Sequence, residues 1–266
     1  MKTGMGRDSG RLEDRVIISV AGKGGTGKTT IAVLILKALI EETSKTILFV
    51  DADPSTNAPV VLSMPVKKTV GEVIEEFRKT VLDTTELTVD KSRIVEKWVM
   101  EVLMESPRFD LLAMGRGEGE GCYCYVNSVL TSILDKLAGN YDVVIMDMEA
   151  GLEHISRRTD RDVDIMFVIT DPSRMSIETA RRIKELIPEV HVEIRRLYVI
   201  GNKIPYEEFE SYASKVGEFD LQLIGVVPPD PEILNFSVKG LSLLNIPDNS
   251  PSYEAVKKIC RKVGLI

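Results

Sequence analysis

The stretch "AGKGGTGKTT", residues 21–30, follows the apolar run "RVIISVA" (15–21) and opens a helical pattern over 28–42. Gly22-Lys23-Gly24-Gly25-Thr26-Gly27-Lys28-Thr29 satisfies G-x-x-x-x-G-K-[ST], with a strand before it and a helix after it, which is the context the motif requires. The residue types follow from the chemistry. Glycines let backbone N–H groups curl round phosphate oxygens with no Cβ in the way, and the helix start aims its positive end at the same anion. Lys28 is placed to reach the β- and γ-phosphates, and Thr29 to hold Mg²⁺ through its hydroxyl. Nucleotide contacts are therefore expected from Gly24, Gly25, Thr26, Gly27, Lys28, Thr29 and Thr30.

Outward from this loop, short apolar β-branched runs alternate with helical patterns. Further strands are predicted at 45–51, 109–115, 141–147, 163–170, 196–202 and 221–228, and helices at 69–80, 91–105, 124–138, 173–187 and 252–263. Continuously apolar strands separated by helices imply a mostly parallel sheet covered on both faces, a three-layer α/β fold of the phosphate-loop type. Ligands of such sheets bind at the C-terminal ends of the strands. The chain has 266 residues, 44% of them hydrophobic and 28% charged, enough for one large core. We read residues 15–266 as a single domain and 1–14 as a flexible, polar leader without a signal-peptide core. No apolar run is long enough to span a bilayer. A net charge of −7 argues against a nucleic-acid partner, because phosphate neutralisation needs clustered Lys and Arg. The expectation is a cytoplasmic protein with neither nucleic-acid nor membrane partners.

Carboxylates stand at two strand tips beside the loop. Strand two ends in Asp51-Ala52-Asp53-Pro54, and the strand at 141–147 ends in Asp147-Met148-Glu149-Ala150-Gly151. This is where Mg²⁺ and an attacking water have to be held in a phosphoryl-transfer site. Lys23 adds a further signal. The form K-G-G-x-G-K-T resembles the deviant phosphate loop of the MinD/ParA/nitrogenase-iron-protein class. In that class the extra lysine reaches across a dimer to the partner's nucleotide. The resemblance implies an ATP-dependent homodimer with Lys23, Lys28 and Asp53 as catalytic residues. Asp53, the second Asp of D-x-D-P, would orient or activate water. Asp51 and Asp147 would sit in the outer shell of Mg²⁺, and Gly151 would sense the γ-phosphate. Asn202 and Lys203 match the place where the class contacts adenine, and Pro228, Pro229 and Asp230 match its second base-side loop. The preference for ATP/ADP over GTP rests on the resemblance alone.

The remaining question is "GRGEGEGCYCYVN", residues 115–127, which holds two of the three cysteines. A Cys122–Cys124 disulfide would close a small, strained ring and is disfavoured in a reducing compartment. By spacing alone, metal binding and inert packing stand level. One chain offers few further soft ligands, with two histidines in all. A two-fold dimer would bring four thiolates together, which suits a tetrahedral zinc or square-planar nickel ion. "GCYC…N" and "DMEAGLEH" together resemble the accessory ATPases that insert nickel into carbon monoxide dehydrogenase, the CooC type, over nearly the whole chain from about Val16. That resemblance implies one Ni²⁺ or Zn²⁺ held by Cys122 and Cys124 of two subunits, released under nucleotide control. It also implies that the partner is apo carbon monoxide dehydrogenase or a related nickel enzyme. Glu153 and His154 belong to the motif without an assigned role. Two rival readings are a positioning or partitioning ATPase of the MinD/ParA kind and an iron–sulfur carrier of the nitrogenase-iron-protein type. The membrane form of the first would need a free amphipathic C-terminal helix. We expect instead that Tyr253, Val256, Ile259 and Val263 pack on the domain.

Overall fold

The computed structural model describes residues 15–82, 91–116, 133–134, 136–149, 163–189 and 193–266. The described strands are β1 (Val16–Gly22), β2 (Ile47–Ala52), β3 (Leu103–Glu105), β4 (Asp110–Ala113), β5 (Val143–Met148), β6 (Val163–Thr170), β7 (Ile194–Asn202) and β8 (Leu223–Val227). They form one sheet in the order β3-β4-β2-β5-β1-β6-β7-β8. Every neighbouring pair is parallel except β3 with β4. The fold is the mostly parallel, helix-covered sheet that the apolar runs predict. β1 and β2 read as unbroken hydrophobic runs because both of their faces are buried.

The two faces have separate cores. On one, Ile18 and Val20 of β1 meet α1 (Lys28–Glu42), α2 (Ala58–Leu62) and α8 (Pro251–Val263). On the other, Ile17 and Ala21 meet α3 (Val70–Leu82), α4 (Lys91–Val102), α5 (Arg174–Leu186) and α6 (Phe209–Gly217). The third turn of α1 carries a buried Lys37, tolerable only because it is paired. Its ammonium bonds Glu41 and, at 3.2 Å, Asp248, and it lies 4.6 Å from the centre of the Tyr253 ring. This ties α1 to α8. Tyr253, Val256, Ile259 and Val263 are buried in the core, as expected of a packed terminal helix. Ser250 caps that helix by accepting from the Tyr253 N–H, Pro251 starts it, and Gly264 ends it at φ 79°.

One boundary needs correction. The helix predicted over 91–105 stops at Val102, and Leu103–Glu105 turn into β3, an antiparallel edge strand on β4. The turn "SPRF" (106–109) enforces this, since Pro107 ends any regular run and Ser106 N–H is held by Asp110 at 3.3 Å. The helix predicted over 124–138 lies largely outside the described residues. Three helices not singled out in the sequence are present: the short α2, α6, and α7 (Pro231–Lys239). α2 and α7 matter for the site. No helix among the described residues is long and apolar enough to cross a membrane.

Candidate nucleotide site

The C-terminal ends of the seven parallel strands lie on one edge of the sheet, and β1 lies between β5 and β6. Gly22 closes β1 at φ 140°, where a Cβ would stand 2.3 Å from the Ile169 carbonyl oxygen of β6. The turn can leave the sheet only because residue 22 has no side chain. Gly22→Ala is expected to destabilise the fold by about 1–3 kcal/mol through this backbone clash, measurable by denaturant unfolding. Lys23 to Gly27 then form the loop. Its main chain is pinned by Thr26, whose N–H and hydroxyl both reach the Lys23 carbonyl, at 3.3 and 2.8 Å. Gly27 caps α1 in the left-handed region at φ 91°, and a Cβ there would collide with Asn202 Nδ2 at 2.4 Å. At Gly24 and Gly25 nothing lies within 4 Å of an added Cβ, so the backbone there faces open space.

The loop bounds a cleft of about 760 Å³. Gly24, Gly25, Gly27, Lys28, Thr29, Thr30, Asp53, Asn202, Lys203, Pro228 and Asp230 line it, so most of the predicted binding residues share one cavity. Thr26 is buried beneath the loop, Pro229 is exposed beside it, and Lys23 lies outside the lining. The Lys23 ammonium has no hydrogen bond or ion pair among the described residues. Sequence reasoning missed the apolar wall: Val61 from α2, and Ile233 and Leu234 from α7. The signals for α7 were present, with Asp230 as N-cap, Pro231 at the first position and Gly240 at the C-terminal end.

The carboxylates have different surroundings. In the sheet register Asp51 stands directly across from Asp147. Asp51 is fully buried, and both of its oxygens accept from backbone N–H groups, Asp53 at 3.1 Å and Ala58 at 2.8 Å. It thereby shapes the 53–58 turn and caps α2. Burial pushes its carboxyl up to about 6, against the pull of those two bonds. Asp147 is also buried; its Oδ2 accepts from the Thr29 hydroxyl at 2.5 Å, while Oδ1 is buried with no hydrogen-bond partner. Burial raises Asp147 to about 7; Thr29 and the Lys28 charge pull it down, and the charges of Asp51 and Asp53 add to the rise. Asp53 is only half-buried, lines the cleft, and spends Oδ1 on the Ser55 N–H at 2.8 Å.

Across the cleft from the carboxylates, at the tip of β7, Asn202 is a strut. Its Nδ2 donates to the Thr26 carbonyl at 2.7 Å and its Oδ1 accepts from the Lys203 N–H at 3.0 Å. Lys203 Nζ reaches the Gly25 carbonyl at 3.4 Å. Asp230 is likewise committed, accepting from Glu232 N–H, Ser250 Oγ and Ser252 N–H. Asn202→Ala leaves the buried Thr26 carbonyl unpaired, so a loss of about 1–3 kcal/mol and weaker nucleotide binding are expected, read by thermal melting with and without nucleotide. Cys122, Cys124, Gly151, Glu153 and His154 lie outside the described residues. The third cysteine, Cys260, is buried in α8, its thiol pushed up to about 12 by burial, and is inert.

Known proteins bear on this geometry. A family model described as an AAA domain matches residues 14–199. An uncharacterized ATP-binding protein of Methanocaldococcus jannaschii is 45% identical over 252 residues, 93% of this chain and 98% of its own. The carbon monoxide dehydrogenase accessory protein CooC of Rhodospirillum rubrum is 28% identical over 242 residues, 86% of this chain and 89% of its own. Among solved structures, a ParA family ATPase from Chlorobium tepidum superposes with a TM-score of 0.70 at 18% identity, covering 95% of this chain and 99% of that one, which shows a shared fold. A phosphate loop at the centre of a ParA-type sheet, matched along most of the chain, places this protein in that AAA-domain family of P-loop ATPases.

Proposed function

We propose that the protein is a Mg²⁺-dependent, nucleotide-switched homodimeric ATPase that carries a transition-metal ion and assists nickel insertion into carbon monoxide dehydrogenase or a related nickel enzyme. The observation that carries the ATPase half is the part-buried Thr29–Asp147 hydrogen bond, with a buried, unpartnered oxygen on Asp147, beside a buried Lys28. An orphaned buried carboxylate oxygen next to a hydroxyl fits Mg²⁺, which is held by one or two carboxylates plus substrate phosphates. Bound Mg²⁺ would neutralise charge on the β- and γ-phosphates.

The chain's own residues do the rest. The open backbone at Gly24 and Gly25 and the start of α1 bind the phosphates, and Lys28 holds the γ-phosphate. Asp53 has an oxygen left over from the Ser55 bond and sits at the cleft, where it orients the water that attacks the γ-phosphorus as the bond to ADP breaks. Lys23 has no hydrogen bond among the described residues and acts on Asp171 only through its charge, so its ammonium is available to a partner subunit. Leu234, which lines the cleft, is 67% exposed, and Val60 and Val238, next in sequence to the lining residues Val61 and Ser237, are 75% and 79% exposed, apolar surface that a dimer closing over the nucleotide would cover.

The nickel half is supported by the Cys122-x-Cys124 sequence and by the similarity to the Rhodospirillum accessory protein. Nickel here is cargo, held by thiolates of two chains and passed on when the dimer opens. The packed α8 disfavours the membrane-positioning alternative. The test is activation of apo carbon monoxide dehydrogenase with limiting Ni²⁺ and Mg-ATP. The wild type should raise the activated fraction and the Cys122→Ala/Cys124→Ala variant should not. Equal activation by both would overturn the reading.

A further inference from the structure

A second cavity, of about 370 Å³, lies away from the nucleotide cleft, at the β8 edge of the sheet. Phe209 and Tyr206 wall it on one side, and Ala255 and Ile259 of α8 on the other. Its floor is Ile224–Val226 of β8. Gly225 lets the helix approach, since a Cβ there would stand 2.8 Å from Ile259 Cγ1. A glycine inside a strand is weakening on its own account and marks such a close approach.

The charges around this apolar cavity are asymmetric. α8 carries two pairs of cations one turn apart. Lys257 and Arg261 share Glu42, at 2.6 and 3.6 Å. Lys258 and Lys262 both line the cavity, and neither has a carboxylate within 4 Å among the described residues. Like charges at this spacing repel weakly, and although Glu254, one turn before Lys258, acts on the Tyr206 wall, an anion between Lys258 and Lys262 would relieve the repulsion. Lys262 donates to the outward carbonyl of Ile224 at 3.0 Å. That bond caps the strand edge against addition of a further strand, as edge lysines do, and argues for a small ligand rather than an extended peptide. Two N–H donors of the Lys262 ammonium remain.

We propose that this cavity binds a small amphipathic carboxylate, its apolar body against Phe209, Ile224 and Ile259 and its carboxylate between Lys258 and Lys262. The volume is at the small end of ligand sites, which suits a compact ligand. The inference is independent of the ATPase reading and would survive its failure.

Octanoate is the probe and 1-octanol its neutral counterpart, titrated into ¹⁵N-labelled full-length protein. The expected result is saturable movement of the Gly225 and Ala255 amide signals with octanoate, and affinity at least about tenfold weaker for octanol. Lys258→Gln and Lys258→Glu, at an exposed position, should each weaken octanoate by about tenfold or more. Absence of saturable shifts at these amides, equal affinity for the alcohol, or undiminished binding in both variants would overturn the proposal.

Discussion

Lys28→Ala should lower ATP turnover by about 10²–10³-fold, the usual effect of deleting one preorganised charge aimed at a developing anion. Lys28 is 8% exposed at the start of α1, so its charge is held in place beside the phosphate loop. It also offsets the charge on Asp147. The loss therefore extends past one phosphate contact to the readiness of Asp147 to hold a cation. Steady-state phosphate release measures the first effect. Nucleotide binding by calorimetry should weaken as well, because Lys28 touches the ground state and the transition state alike. Lys23→Ala should behave differently. Its side chain is outside the cleft lining, so a single chain should still bind nucleotide, while the part of turnover that rises with protein concentration disappears.

The second large effect concerns Asp147 and pH. Its carboxyl is raised to about 7 from an ordinary 3.8, chiefly by burial. In metal-free buffer the folded state therefore holds a proton that the unfolded chain has already released. Between about pH 4 and pH 7 the folded state binds more protons than the unfolded one, so this group's contribution to stability falls as pH rises across that window. Asp51, raised to about 6, acts with the same sign. Exposed carboxylates such as Asp142, held below the ordinary range by Thr46, act in the opposite sense, so the informative quantity is a difference. Wild-type stability minus that of Asp147→Asn should decline by about 2–4 kcal/mol from pH 4 to pH 8, read by urea unfolding in EDTA. A flat difference would mean that Asp147 is ionised and compensated in the folded protein. The strain is a cost of function: the oxygen left unpaired is the one a divalent cation would satisfy.

The phosphate loop was legible because its chemistry dictates a contiguous pattern. Gly22, Gly24, Gly25 and Gly27 are required by close approach or by open backbone, and Lys28 and Thr29 follow at fixed spacing. The parallel strands were legible because burial on both faces leaves no polar alternation to confuse them. β3 was not. Its three residues continue the apolar spacing of α4, and only antiparallel pairing with β4 pulls them out of the helix. The strand-tip residues could be named, but their roles needed the third dimension. Asn202 bonds Thr26 across 176 residues of chain, and nothing local announces that a strand-end Asn braces the phosphate loop. The same holds for Asp51 and Asp147, similar in sequence, one satisfied by two backbone N–H groups and the other left with a free oxygen. The α7 wall was missed because Ile233 and Leu234 read as ordinary amphipathic helix until the fold sets them over the cleft.

The most direct test of the central claim is an anaerobic titration with Ni²⁺, with and without Mg-ATP, following molecular mass and bound metal together. The account predicts one metal ion per two chains, appearing with dimer mass and lost in Cys122→Ala/Cys124→Ala. Dimers that form with ATP and hold no metal, in the wild type and the variant alike, would contradict it.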